Sequence, residues 1–169
     1  DTASFVKQRE AQGIVVGGGG PITPKVRRVN FIDVEIFGAM DQAGIVSAHS
    51  TPDDNDLVSE AMKVHRAQRE KAIAILEAQS VTPALPAAGY RLPIEVNDPT
   101  DAAKLAVRME NDAAVAWRAV LEQAPKGSEG DAVRAFAVSA LTQSAVLAAR
   151  WNRVLGTWPL TQAFPGGQD

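Results

Sequence analysis

The sequence predicts an all-α fold, a four-helix bundle with an irregular N-terminal arm, and three observations lead to it. Long stretches place apolar residues three and four apart, the spacing of one buried helix face, between recognisable start and stop signals. A connection of nineteen residues, Ser80 to Asp98, separates the second helix from the third. Residues 1–28 carry Gly13, the run Gly17-Gly18-Gly19-Gly20, Pro21 and Pro24, which break any helical period. The expected organisation is therefore an arm or linker over 1–28 and a bundle with a C-terminal tail over 29–169.

The arm contains two short pieces with extended propensity, Gly13-Ile14-Val15-Val16 and Lys25-Val26-Arg27-Arg28-Val29. Helix one is expected over 31–48 from Phe31, Ile32, Val34, Ile36, Phe37, Met40, Ile45 and Val46. Helix two is expected over 52–79. Ser50 and Thr51 offer an N-cap hydroxyl, Pro52 suits a first helical turn, and Asp53, Asp54 and Asp56 favour the positive end of the helix dipole. Its stripe is Leu57, Ala61, Val64, His65, Ala72, Ile75 and Leu76. A helix of this length is about 40 Å long, and a connection that joins two parallel helices must travel that distance; nineteen extended residues reach about 60 Å. Helix three, over 99–124, starts at Asp98-Pro99 and stops at Pro125 and Gly127. Helix four, over 129–155, presents Val133, Phe136, Ala137, Ala140, Leu141, Ser144, Leu147, Ala148, Trp151, Val154 and Leu155, with Gly156 as its C-terminal cap. The tail, with Trp158, Leu160 and Phe164 among prolines and glycines, is expected to fold back over the end of the bundle.

Composition excludes several function classes. A 169-residue chain that is 46% hydrophobic buries a core without staples, and with no cysteine it has no disulfide, thiolate metal site or cysteine nucleophile. Its 17 basic and 20 acidic residues nearly balance and form no long run of one sign, which argues against nucleic-acid binding. No apolar stretch approaches the roughly eighteen residues that span a bilayer, and Asp1 to Gln12 lack the basic start and apolar middle of a signal peptide, so membrane insertion is not expected and a cytoplasmic location is.

Three groups of residues carry a resemblance. They are His65-Arg66 with Arg69; Leu105-Ala-Val-Arg-Met-Glu-Asn-Asp-Ala-Ala-Val-Ala-Trp-Arg118; and Ala140-Leu-Thr-Gln-Ser-Ala-Val146 with Ala149-Arg150-Trp151 and Ala163-Phe164-Pro165-Gly166. Together they resemble an actinobacterial family of ferritin-like domain proteins of unknown function, from Gly44 to the C-terminus. The resemblance implies a ferritin-like up-down-down-up four-helix bundle with the long crossover between helices 2 and 3. Members of that family typically place an acidic residue and a histidine together shortly before the segment written here Gly44-Ile45-Val46-Ser47. This chain has Ile36-Phe37-Gly38-Ala39-Met40-Asp41-Gln42-Ala43 instead, so that pair is not carried over.

A ferritin-like dinuclear metal centre needs a Glu from each of two helices and a Glu-x-x-His pair from each of the others. The histidines here are His49 and His65, preceded at three residues by Val46 and Met62, and helix four has no carboxylate after Asp131. The complete site is not expected. His65 and Glu110 fall on or beside the buried seams and are the weak candidates for a metal; the bland alternative is that they satisfy each other or nearby Arg66, Arg69 and Arg108, since buried charges are normally paired. Asn111 and Asp112 are expected on the solvated side. The tetraglycine run lacks the lysine and hydroxyl of a phosphate loop and reads as a hinge. His49, near Ser47 and Ser50, is expected to interact with helix-terminal carbonyls. Trp117, Trp151 and Trp158 with Phe136 are expected to fill the core.

No catalytic residue and no cofactor emerge from these patterns. The function is therefore unknown from the residues alone, and the class expected is a noncatalytic helical bundle that acts through protein association or self-association as a homo-oligomer. The alternatives are a degenerate ferritin-like metal or redox protein with one weak site, or a small-molecule binder.

Overall fold

The computed structural model describes residues 42–81 and 92–167. The arm at 1–28, the expected start of helix one at 31 and the crossover residues Pro83, Pro86, Gly89 and Tyr90 lie outside the described residues. Among the described residues every regular element is helical. These are α1 (residues 42–49), a 3-10 turn at Pro52–Asp54, α2 (Asn55–Ala78), α3 (Pro99–Gln123) and α4 (Ser128–Leu155).

The junctions follow from local chemistry. Thr51 was expected to cap a backbone N–H, but its hydroxyl donates to Asp54 Oδ2 at 2.6 Å while the Asp54 N–H donates to the Thr51 carbonyl at 3.0 Å. The first turn therefore tightens into 3-10 geometry and α2 proper begins at Asn55, three residues later than expected. Asp98 does cap α3, its Oδ1 accepting from the Asp101 N–H at 2.8 Å, with Pro99 in the first turn. At the α3–α4 junction, Arg134 Nη1 donates to the Pro125 carbonyl at 2.8 Å and the Ala124 carbonyl at 3.3 Å, supplying donors where α3 has run out of its own. Helix α4 closes on Gly156 in the left-handed region: the Gly156 N–H donates to the Arg153 carbonyl and the Thr157 N–H to the Asn152 carbonyl, the paired bonds of a Schellman ending.

The core is arranged in levels. At one end Val46, Leu57, Val58, Ala61, Ala103, Leu105, Ala106, Leu147 and Trp151 pack together, covered by Leu92, Ile94 and Val96 from the last part of the crossover. Towards the other end Ala72 meets Trp117, Val120, Ala137 and Ala140, and Trp117 packs edge-on to Phe136 with ring centroids 5.1 Å apart. Residue numbers rise in the same sense along α2 and α3 and fall along α4, so α2 and α3 run parallel and α4 runs against both. The α3 and α4 backbones lie close along their length, α2 approaches α4 more sparingly, and the α2 and α3 backbones stay apart. The long connection thus joins helices that meet through side chains, not closely packed neighbours.

The tail departs from expectation. It is anchored by Asn152 Nδ2, which donates to the Leu160 carbonyl at 3.0 Å, and it reaches the middle of α3 rather than covering the bundle end. Gly166 is buried there at φ +72°, and a Cβ on it would lie 2.5 Å from the Ala114 carbonyl oxygen, so only glycine fits. Trp158 and Phe164 are 82% and 78% exposed, against the expectation that Trp158 fills the core, and Val154, expected on the buried face of α4, is 45% exposed. One further correction concerns α4. By length and composition alone, Gly130–Leu155 is apolar enough to cross a membrane. No apolar stretch stands out there to the eye because Ser139, Thr142, Gln143 and Ser144 divide the alanines and valines without lowering their average much.

Trp117 and Trp151 are almost wholly buried in different levels of the core. Trp117→Ala and Trp151→Ala are each expected to cost about 3–5 kcal/mol in chemical denaturation, whereas Trp158→Ala should change stability by less than about 0.5 kcal/mol. Equal losses at all three positions would contradict this packing.

Candidate functional site: a sealed histidine–glutamate pair

Between the two apolar levels lies a polar layer. His65 and Gln68 stand three apart on α2 and so share a face, Glu110 comes from α3, and Ser144 from α4; all four are buried. His65 Nε2 and Glu110 Oε1 are 2.8 Å apart, with His65 1% and Glu110 0% exposed. Gln68 Nε2 donates to Gln143 Oε1 at 2.9 Å and lies 3.5 Å from the Ala140 carbonyl oxygen, tying α2 to α4.

Burial by itself would lower the His65 pKa, because it disfavours the charged ring. The hydrogen bond and charge of Glu110, with a smaller polar contribution from Gln68, outweigh burial, and the net direction is upward from 6.5. A protonated ring donating to a carboxylate is a charge-assisted bond, stronger than a neutral one. The layer is not fully satisfied among the described residues. Glu110 Oε2, Gln68 Oε1 and Ser144 Oγ are buried and have no hydrogen-bond partner there.

The structure brings together the two residues singled out from the sequence, and the partner each finds is the other, not Arg66 or Arg108. Arg108 instead faces Asp112 at 3.9 Å, and Asn111 and Asp112 are half-buried rather than solvated. At the end of α1 the Val46 carbonyl accepts from the Ser50 N–H at 2.9 Å and the Ser50 hydroxyl at 2.6 Å, taking the role expected of His49. Gln68 was missed, although it lies three residues from His65 and four from Ala72 on the same stripe.

The chemistry open to this arrangement is narrow. The coordinating atoms of His65 and Glu110 face each other, and among the described residues no three His, Asp or Glu side chains gather closely enough to hold a metal ion. Within the described residues this pair alone does not supply the donors of a ferritin-like dinuclear centre. A ring and a carboxylate closed off from solvent hold a proton between two helices more readily than they exchange it with a substrate.

The family comparison adds to this geometry. Residues 38–169 match a family described as a domain of unknown function, DUF4439. The chain belongs to this family. Among solved structures it is similar to a conserved hypothetical protein, rv2844, from Mycobacterium tuberculosis, at 48% identity and a TM-score of 0.70, over 76% of this chain and 93% of that one. No curated protein matches the chain. The DUF4439 match takes in α1 to α4 and the tail, so the His65–Glu110 layer lies wholly within it.

Removing one partner of a buried pair strands the other, so His65→Leu and Glu110→Leu should each cost about 3–5 kcal/mol, and the double replacement much less than their sum. The sign of the pH dependence follows from the raised native pKa. The pair's stabilisation is fully present below the unfolded-state value of about 6.5 and is lost as pH rises through the native value. Denaturation of the parent and double variant at a series of pH values should therefore show the parent losing stability relative to the variant from about pH 6.5 upward; a relative gain would reverse the assignment.

Proposed function

We propose that this chain is a noncatalytic helical module that works by protein association, self-association included, on a ferritin-like up-down-down-up bundle. The order of packing supports the topology: Ala43 shares a small cluster with Met62 and Met109, while Val46 packs with Leu57, Val58 and Ala61, so α1 runs against α2. The parallel α2 and α3, the opposed α4 and the nineteen-residue crossover complete the pattern.

One observation carries the association reading. Large apolar side chains stand on the outside, with Trp158 and Phe164 outward on an anchored tail and Val138 and Val146 about half exposed on α4, whereas the polar pair is sealed. Burying one such side chain yields roughly 1.5–3 kcal/mol, which favours a partner surface over water. A near balance of charge gives no comparable attraction for nucleic acid. A degenerate metal site at His65 and Glu110 draws support from the unpaired Glu110 Oε2, but it would have to break the 2.8 Å bond to form.

Sedimentation velocity at micromolar concentrations tests the reading. A dimer or larger species is expected, and substituting Trp158 and Phe164 with serine or Val146 with a charged residue should shift it towards monomer in at least one case. A monomer at every concentration, unchanged by these substitutions, would overturn self-association.

A further inference from the structure

Three buried side-chain atoms of the polar layer have no hydrogen-bond partner, and each comes from a different helix: Gln68 Oε1 from α2, Glu110 Oε2 from α3 and Ser144 Oγ from α4. Independent contacts bring all three to one level. Trp117 and Phe136 meet across α3 and α4; seven residues back along α3 and seven forward along the antiparallel α4, Gln143 and its neighbour Ser144 stand against Glu110. Arg150 bonds Glu60 across α4 and α2; five residues inward from each, Ala145 and its neighbour Ser144 stand against His65. The Gln68 amide donates to Gln143 Oε1 at 2.9 Å, so its own Oε1 also lies beside residue 144. A buried polar atom left without a hydrogen bond loses what solvent gave it, and groups of this kind in protein interiors are met by a shared partner.

We infer that this level of the bundle binds one water molecule, which donates to Glu110 Oε2 and Gln68 Oε1 and accepts from the Ser144 hydroxyl. The needs of the three atoms define the ligand. A carboxylate oxygen and an amide oxygen only accept, and a hydroxyl can give its proton, so the bridging group supplies two donors and one lone pair. Charge selects a neutral one. The protonated His65 ring and the Glu110 carboxylate already stand in contact, and a further ion beside them would be buried without compensation. Water meets both conditions, and about three hydrogen bonds is its usual complement inside a protein. The bridge also completes the layer. His65 and Glu110 join α2 to α3, Gln68 joins α2 to α4, and the water joins α3 to α4. Exchange from so closed a site requires a local opening of the bundle, so the bound molecule is long-lived.

A crystal structure of the full chain at a resolution that orders waters, paired with oxygen-17 relaxation dispersion in solution, tests the inference. The expected results are a single-atom peak within hydrogen-bond distance of both Glu110 Oε2 and Ser144 Oγ, and a water with a residence time longer than about a microsecond. Ser144→Thr retains the hydroxyl and should retain that water, whereas Ser144→Val replaces the hydroxyl by a methyl and should lose the dispersion of one long-lived water. Circular dichroism checks that the helices remain in both, and if Ser144→Val does not fold the parent crystal decides. A Ser144 hydroxyl turned onto the Ala140 carbonyl, with no density beside Glu110 Oε2, overturns the bridge. So does equal dispersion in the parent and a folded Ser144→Val, and so does density at this level with the size or anomalous signal of something other than water.

Discussion

The bond between His65 and Glu110 is the constraint on which the rest of the bundle's interior depends. It links two parallel helices whose backbones stay apart, at the level where the apolar packing of one end gives way to that of the other. A slip of α2 along α3 by one residue would move the ring about 1.5 Å along the axis, enough to break a 2.8 Å contact. The apolar clusters are less particular about register, because alanine, leucine and valine pack with many neighbours while a buried imidazole and carboxylate tolerate few. Gln68 adds a second polar link, to α4, so the layer relates three helices to one another.

How much of this the sequence reveals depends on whether the signal is local. Asp98-Pro99, the Pro125–Gly127 break and Gly156 mark helix ends through chemistry complete within a few residues, and the observed ends lie within one residue of those expected. His65 and Glu110 stand out because a polar residue on an apolar stripe is conspicuous. Gln68 escapes notice because an amide is less conspicuous there than a charge, although its position on the stripe is equally clear. The Trp158 expectation fails for a definite reason. It lies seven residues after Trp151, the right interval for one helix face, but Gly156 turns the chain out of the helix and the phase no longer applies. The course of the tail to Ala114 depends on a close approach between distant segments and has no local signature beyond the glycine that permits it.

Interior and exterior therefore suggest different roles. The polar interior is small, sealed and self-paired, the properties of a tie between helices. The exterior leaves apolar side chains on α4 and aromatic rings on a tail held at Leu160 and Gly166. On the association reading, these exposed side chains are where a partner would meet the bundle.

The central claim is that the core pair is a charge-assisted tie, and titration of the His65 ring by nitrogen-15 NMR in the folded protein tests it most directly. The account predicts a midpoint above 6.5, with both ring nitrogens still protonated in most molecules at that pH. A midpoint below 6.5 would mean that burial outweighs Glu110, that the ring is neutral in the native core, and that the tie is not the one described.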